Sequence, residues 1–355
     1  MPFVPAQNPQ SNWLYYSSYL ILSAVGLYYM RIGTVSQLTG TQLEPFFTKP
    51  GRFTYPGRPN VIIRRSYTGV PAVDSFLGML VTAFLAGPAG FQKHIQLQQV
   101  NFLFNFAPVL AVMSIEAVRS RRWSLVVFTS LWASLYQTVG GAVVVPLYFL
   151  VHSYAFGKPD GSRLVPAAWA KTLLPALGLG YLIPTALMFY PFGNIDYTML
   201  ATAFWQPAPI LVNIIWVTLR QVSSSAGTAT THIRRALAIT GVVAAAAHFG
   251  TLYGVFSSSY PTLTPSSIFV PLESRATSFE EAAHFIFQID YLLIFIGSTI
   301  WCLQTRAADR VRGGRSGSRM ADLGLLVSSA VALGPGATLA WVWYRRQGRV
   351  GIKSE

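Results

Sequence analysis

Acidic side chains are scarce in this chain. Twelve Asp and Glu stand against 26 Lys and Arg in 355 residues, and all charged residues together make up 11%. A soluble domain carries about 25%, so a large water-facing surface is excluded. Cysteine is nearly absent too. Cys302 is alone, which rules out an internal disulfide and any cysteine-built metal or iron–sulfur site. No aspartate-rich DDxxD cluster is present to hold magnesium on a diphosphate. Neither HExxH nor Cys/His metal spacing occurs, so no metal site and no cofactor are expected. The run Arg312-Gly-Gly-Arg315-Ser-Gly-Ser-Arg319 lacks the Gly-Lys-Ser/Thr ending of a phosphate-binding loop and reads as a plain connecting loop. The N-terminus lacks the basic region and cleavage site of a signal peptide, so Trp13 to Met30 is expected to be a retained first span.

Apolar and aromatic residues are abundant, at 52% and 14%. Apolar stretches long enough to cross a bilayer lie near 13–30, 74–91, 98–117, 123–155, 168–190, 197–220, 231–256, 283–303 and 321–345. The expected fold is an all-α, polytopic transmembrane helix bundle of about eight to ten spans, a single integral-membrane domain over 1–355. The segment 31–72, rich in Pro, Gly, Arg and Tyr, reads as a long extramembrane loop. The net charge of +14 would suggest nucleic acid in a soluble protein. Here the basic residues sit in short runs between apolar segments, the pattern that orients a membrane protein. The bilayer is therefore the expected partner, with no nucleic acid. The runs in 31–72, at Arg119, Arg121 and Arg122, at Lys158 and Arg163, at Arg220, Arg234 and Arg235, and in 306–319 share one side only if 123–155 crosses twice or re-enters. That stretch contains Gly140, Gly141 and Pro146, so a broken or re-entrant element is expected there.

A carboxyl group inside the membrane is costly, and by default it marks a functional site. Asp290 lies well inside an apolar run. Desolvation favours its neutral form, which is a proton donor; a helix-packing hydrogen bond is the alternative role. Glu116 closes the third span, where it is either a second functional acid or a salt-bridge partner of Arg119 at i+3. Glu280, Glu281 and His284 open the eighth span. Glu280 and His284 share a helix face and form either an acid with an orienting partner or a solvated helix start. Asp290 is turned about 80° away from Glu280. Asp74 and Asp196 begin spans and read as first-turn or capping residues. His152 and His248 read as hydrogen-bonded structural histidines. Prolines within spans, from Pro88 to Pro209, read mostly as ordinary helix bends, though several kinked helices together can enclose a cavity.

Four short motifs carry a resemblance. Gly141-Ala-Val-Val-Val-Pro146-Leu-Tyr148, Ala170-Lys171-Thr-Leu-Leu-Pro175, Tyr181-Leu-Ile-Pro184-Thr-Ala-Leu-Met188 and Ala203-Phe-Trp205-Gln206-Pro207-Ala-Pro209 resemble the fungal membrane-bound terpene cyclases of meroterpenoid biosynthesis, of the ascochlorin and ascofuranone type. The resemblance runs from about the second span to the ninth. It implies cyclisation of a prenyl chain, usually farnesyl, attached to an aromatic polyketide. An acid would protonate a terminal epoxide or olefin, without loss of diphosphate and without metal. The substrate would be a lipophilic prenylated phenol or its epoxide, and the location the endoplasmic reticulum membrane. Asp290 is the first choice for the acid and Glu116 the second, with Glu116 or Glu281 as partner or terminating base; Glu280 or Glu281 is the acid instead if the cavity opens at that interface. His284 and the rings of Tyr136, Tyr148, Trp205, Phe249, Tyr253 and Tyr291, with Trp132 and Trp216, are the candidates to surround substrate and cation. Two other classes fit parts of the sequence. A secondary transporter or exporter of a hydrophobic metabolite would also use broken helices and an intramembrane acid. A non-catalytic membrane scaffold leaves Asp290 only a packing role.

Overall fold

The computed structural model describes residues 9–49, 51–120, 125–156, 164–223, 228–312 and 316–351. Arg121, Arg122, Lys158 and Arg163, part of the charge pattern above, lie outside them. About 79% of the described residues are helical. The elements run α1 (Pro9–Leu27), α2 (Thr34–Thr48), β1 (Phe53–Tyr55), β2 (Arg58–Ile63), α3 (Pro71–Phe84), α4 (Lys93–Arg119), α5 (Thr129–Thr138), α6 (Gly141–Phe156), α7 (Ala167–Leu177), α8 (Ile183–Met188), α9 (Ile195–Trp205), α10 (Ala208–Gln221), α11 (Ala229–Phe256), α12 (Pro265–Phe269), α13 (Phe279–Arg312), α14 (Arg319–Leu333) and α15 (Pro335–Gly351).

Helix α4 is the axis. It is buried along most of its length and packs against α11, α15 and α7. Its inward side chains include Gln98, Asn101, Asn105, Ser114 and Glu116. Several of these groups find partners within the bundle, as polar groups at membrane depth require. Asn105 donates to the Asn101 carbonyl at 2.9 Å and to the Ala244 carbonyl of α11 at 3.3 Å, and its oxygen accepts from Gly336 N–H of α15 at 2.9 Å. One amide thus ties three helices. His248 is likewise structural: it faces Asn101 at 3.3 Å and the Val331 carbonyl at 2.9 Å.

Among the described residues, four helices are long and apolar enough to cross a membrane: α4, Ala167–Met188, α11 and α13. The pair α9–α10, bent by 56° at Gln206 and Pro207, makes a fifth if it counts as one span. That is fewer than the eight to ten expected, because glycine and proline interrupt several apolar stretches. The stretch 321–345, expected as one span, turns at Gly334 (φ +90°) before Pro335. Residues 74–91 give only the short α3, followed by turns through Pro88. The segment 123–155 consists, from 125 on, of a 3-10 turn and two helices parted at Gly140 (φ +117°). The expected loop 31–72 is more ordered than its composition suggests. It holds α2 and a β-hairpin pairing Phe53 with Ile63 and Thr54 with Ile62, whose inner face buries Phe53, Tyr55 and Ile63 against Phe46 and Phe279. Asp74 anchors the exit from this segment. Its carboxylate accepts from the Tyr67, Thr68 and Gly69 amides, while Asp196 stands in the first turn of α9, which Asn194 caps.

Helices approach closely where side chains are missing, the usual packing mode without a hydrophobic drive between helices. A Cβ on Gly180 would meet Val212 N at 2.7 Å and Cα at 2.8 Å, whereas one on nearby Gly178 would meet nothing within 4 Å. Gly180→Val should therefore lower stability by about 1–3 kcal/mol through overpacking. Gly178→Ala should be neutral or stabilising by up to about 1 kcal/mol. Thermal unfolding of both variants in detergent checks the contrast.

Candidate active site

The helix breaks converge on one place. A small chamber lies between the end of α3, the middle of α4, the α5–α6 junction, the π-helical turn Gly178–Leu182, the α9–α10 bend and α13. Non-helical backbone at membrane depth is tolerated where it lines a cavity and its polar groups are satisfied by neighbours. Both conditions hold. Gln137 Nε2 donates to the Gln206 carbonyl at the α9–α10 bend at 2.6 Å, and Arg31 donates to the Thr138 carbonyl at the end of α5 at 2.7 Å.

The chamber wall is an aromatic belt. Ring centroids step from Phe287 to Phe84 (4.6 Å), Trp205 (5.3 Å), Tyr181 (6.1 Å), Phe106 (6.4 Å) and Tyr136 (5.4 Å). Two of the rings are held by their polar ends. Tyr181 donates to the Leu103 carbonyl at 2.8 Å and Trp205 Nε1 donates to Thr185 Oγ1 at 2.9 Å. Their faces stay free of hydrogen-bonding work.

Asp290 is the carboxyl group of this chamber. It is partly accessible. Its Oδ1 accepts from Ala142 N–H at the start of α6. Among the described residues no Lys, Arg or His nitrogen lies within salt-bridge distance of it; Arg31 acts on it only as a more distant favourable charge. The site depends on Gly141, where a Cβ would sit 3.0 Å from Asp290 Oδ1 and 2.7 Å from Ile294 Cδ1. Glycine lets the N-terminus of α6, with its unpaired amides and positive dipole end, close onto the acid.

The other candidate acids are elsewhere and engaged. Glu116, fully buried, accepts through Oε1 from Trp343 Nε1 (2.8 Å), Arg119 Nη1 (3.0 Å) and Arg346 Nη1 (3.3 Å), while Oε2 faces His152 Nε2 at 3.4 Å. Trp301 Nε1 donates to His152 Nδ1 at 2.9 Å, which leaves Nε2 as the side facing Glu116. This is a closed ionic cluster outside the chamber wall, with Glu116 in the salt-bridge arrangement that the Arg119 spacing allowed. Glu280 pairs with Arg58, whose Nη2 lies 3.1 Å from Oε2. Glu281 pairs with His94 at 3.0 Å. His284 faces the Ser267 carbonyl at 3.0 Å rather than Glu280. All three begin α13, about 15 Å of helix from Asp290 in the case of Glu280.

Of the expected rings, Tyr136 and Trp205 line the chamber. Tyr148 packs instead between Trp132 and Trp301, and Tyr291 against Phe102 and Phe295. Trp216 pairs with Trp169. Phe249 and Tyr253, expected inside, are 49% and 75% exposed, because α11 turns Ala236, Thr240 and Ala244 inward and its rings outward. Sequence reasoning missed Phe84, Phe102, Phe106, Tyr181 and Phe287. Phe102 and Phe106 carried a signal: they stand four apart on a span rich in buried polar groups. Among the described residues, no three His, Cys, Asp or Glu side chains gather as a metal-binding set.

Comparison with known proteins gives one direction. The CtvD domain model matches residues 20–350. Similar curated proteins include terpene cyclase ascI of Acremonium egyptiacum, 26% identical over 79% of this chain and 79% of its own length. Terpene cyclase rstn5 of Aspergillus nomiae is 28% identical over 70% and 71%, and terpene cyclase sdgD of Emericella nidulans 25% over 82% and 83%. No solved structure matches the chain significantly.

Glu116 and Asp290 should differ in stability tests. Glu116→Ala strands two buried guanidinium groups and should cost about 3–5 kcal/mol. Asp290→Asn keeps an acceptor for Ala142 N–H, and Asn caps helices about as well as Asp, so it should cost under about 1 kcal/mol. Denaturant unfolding in detergent micelles reads both. Equal losses would show that Asp290 is also a structural ion.

Proposed function

The chain belongs to the CtvD-domain family, and from that premise we propose that it is a membrane-bound terpene cyclase that starts ring closure by proton transfer from Asp290. The observation that carries this reading is a carboxyl group without an ionic partner, open to a chamber walled by aromatic rings. The substrate class is a farnesylated phenol carrying a terminal epoxide or olefin, as the resemblance implied. The alternative role of Asp290, a cap on α6, is compatible with catalysis, since one oxygen holds Ala142 N–H and the other remains for a proton.

The chemistry follows from these groups. A carboxyl group desolvated among aromatic side chains is held neutral. Its O–H bond breaks as the epoxide oxygen, or the terminal alkene carbon, takes the proton. The neighbouring alkene π pair attacks as the C–O bond opens, and positive charge moves along the chain. The carboxylate left behind is stabilised by Ala142 N–H and the N-terminus of α6, by about 0.3–2 kcal/mol for a helix dipole. The acid is thus kept neutral by its surroundings and strengthened by the helix start. The belt then offers ring faces to the cation, worth about 2 kcal/mol or more each when desolvated. A wall without water protects it from premature capture. Loss of a proton, or capture by a hydroxyl of the substrate, ends the sequence, so product and substrate have the same mass. The reaction needs no metal or cofactor. In this reading the apolar helices α1, α6 and α14, of 19, 16 and 15 residues, add crossings to the five, within an endoplasmic reticulum membrane.

Microsomes containing the protein, given a panel of farnesylated phenol epoxides and olefins, should form an isomer of unchanged mass. Asp290→Asn should lower turnover by about 10²–10⁴-fold, the usual contribution of a general acid, at unchanged expression. Gly141→Ala should also lower it by displacing the carboxyl group. Full activity of the Asn variant would reassign the acid. No product from the wild type across the panel would remove the cyclase reading, and uptake without product would favour the exporter.

A further inference from the structure

The two ends of the bundle differ in charge. Helices α7 and α11 run antiparallel to α4, since Tyr181 reaches the Leu103 carbonyl at 2.8 Å and His248 faces Asn101 at 3.3 Å. Both therefore start where α4 ends. The end of α10 joins them through the Trp169–Trp216 ring pair at 4.7 Å, and the ends of α13 and α15 through Arg306 over Trp341 and Arg234 over Tyr344. Among the described residues the acids of this end are Glu116, Asp309 and Asp322, and each is engaged. Glu116 pairs with Arg119 and Arg346, Asp309 with Arg346, and Asp322 with Arg306 and Arg310. Arg220, Arg234, Arg235 and Arg345 make no ion pair among the described residues, so this end keeps a cationic excess. At the opposite end acids and cations are mixed: Glu280 meets Arg58 and Glu281 meets His94.

Three of the uncompensated guanidinium groups rest on rings. Arg220 lies 4.3 Å from the centre of Trp169, Arg234 4.2 Å from Tyr344 and Arg345 5.4 Å from Trp341. A ring holds one face of the guanidinium and leaves its N–H edge for a phosphate. Arg220, Arg235 and Arg345 are exposed, and the three rings are half-buried, the placement of aromatic side chains at headgroup level. Length along α11 agrees. From Arg235 to Phe256 the helix rises about 31 Å, close to a hydrocarbon core of about 30 Å, and Tyr253 and Phe256 are 75% and 74% exposed near its far end. We propose that this end of the bundle is a docking surface for anionic phospholipids, with Arg220, Arg234, Arg235 and Arg345 on their headgroups. Charge complementarity selects the occupant. A fixed cationic excess at headgroup level attracts lipids with net negative charge, whereas a zwitterionic lipid offers the same phosphate with its charge cancelled. The inference goes beyond the cyclase reading and shares with it only the membrane location.

Lipid retention tests this apart from turnover. The full chain is reconstituted in nanodiscs of equal phosphatidylserine and phosphatidylcholine and extracted in mild detergent, and the lipid that stays bound is measured by mass spectrometry. The wild type should retain phosphatidylserine over phosphatidylcholine by about fivefold or more, the worth of one arginine near an anionic surface. Arg220→Gln, Arg234→Gln, Arg235→Gln and Arg345→Gln combined should abolish the preference. The matching lysine variant, which keeps the charge, should hold most of it. Arg64→Gln with Arg65→Gln, at the opposite end, should leave it unchanged, and inorganic phosphate should not displace the bound lipid. The surface is overturned by a wild type without preference, by full preference in the glutamine variant, or by its loss in the lysine or the opposite-end variant. Displacement by inorganic phosphate overturns it too, since the site would then take a free anion. Any of these results leaves the cyclase reading standing if an isomeric product still forms. Conversely, phosphatidylserine retained by the wild type and lost in the glutamine variant, with no product from the wild type, upholds the surface and removes the cyclase.

Discussion

The organising constraint is the hydrogen bond from Ala142 N–H to Asp290. In a lipid-like interior no water completes the hydrogen bonds of a broken helix. The α5–α6 break at Gly140 exposes amides that must be met from elsewhere, and α13 meets one of them with a carboxyl group. The same contact fixes the acid in the chamber wall and requires Gly141 to be bare. Fold and site are therefore not separable here. The break opens the space, the helix start holds the acid, and the missing side chain lets the two approach.

The rest of the interior shows what this acid is spared. Glu116 sits under four donors from α4, α6 and α15. Glu280 and Glu281 are paired at the start of α13, and Asp322 is paired with Arg306 and Arg310. Each paired carboxylate stitches elements together. Asp290 has one amide and a distant guanidinium. The proposed proton donor is therefore the least compensated of these carboxyl groups.

Part of this was legible from residues alone. Asp290 stood out because an unpartnered acid in an apolar run has few structural explanations, and Gly140-Gly141 marked the break that it caps. The expectation failed where soluble-protein intuition was applied to rings. Phe249 and Tyr253 face outward because lipid is as hospitable to aromatics as a core is, so what selects the inward face of α11 is small size, read from Ala236, Thr240 and Ala244. Glu116 was ambiguous for a different reason. Its partner at i+3 was visible, but Arg346, Trp343 and His152 come from distant segments that only the fold assembles. The turn at Gly334-Pro335 carried a dipeptide signal that the length of the apolar stretch obscured.

The belt and the acid also constrain one another. Rings attract a cation but cannot create one, and a neutral acid can release its proton only where the charge it generates is accommodated. Placing Asp290 against rings alone would leave its carboxylate unstabilised and the transfer uphill. Placing it among guanidinium groups, as Glu116 is placed, would make it a carboxylate from the start, with no proton to give. In the proposed mechanism the start of α6 supplies an intermediate field, a partial charge fixed in direction. In that mechanism the balance would tie proton donation to the geometry of one glycine-started helix, at the place where helix breaks, aromatic belt and carboxyl group meet in the bundle.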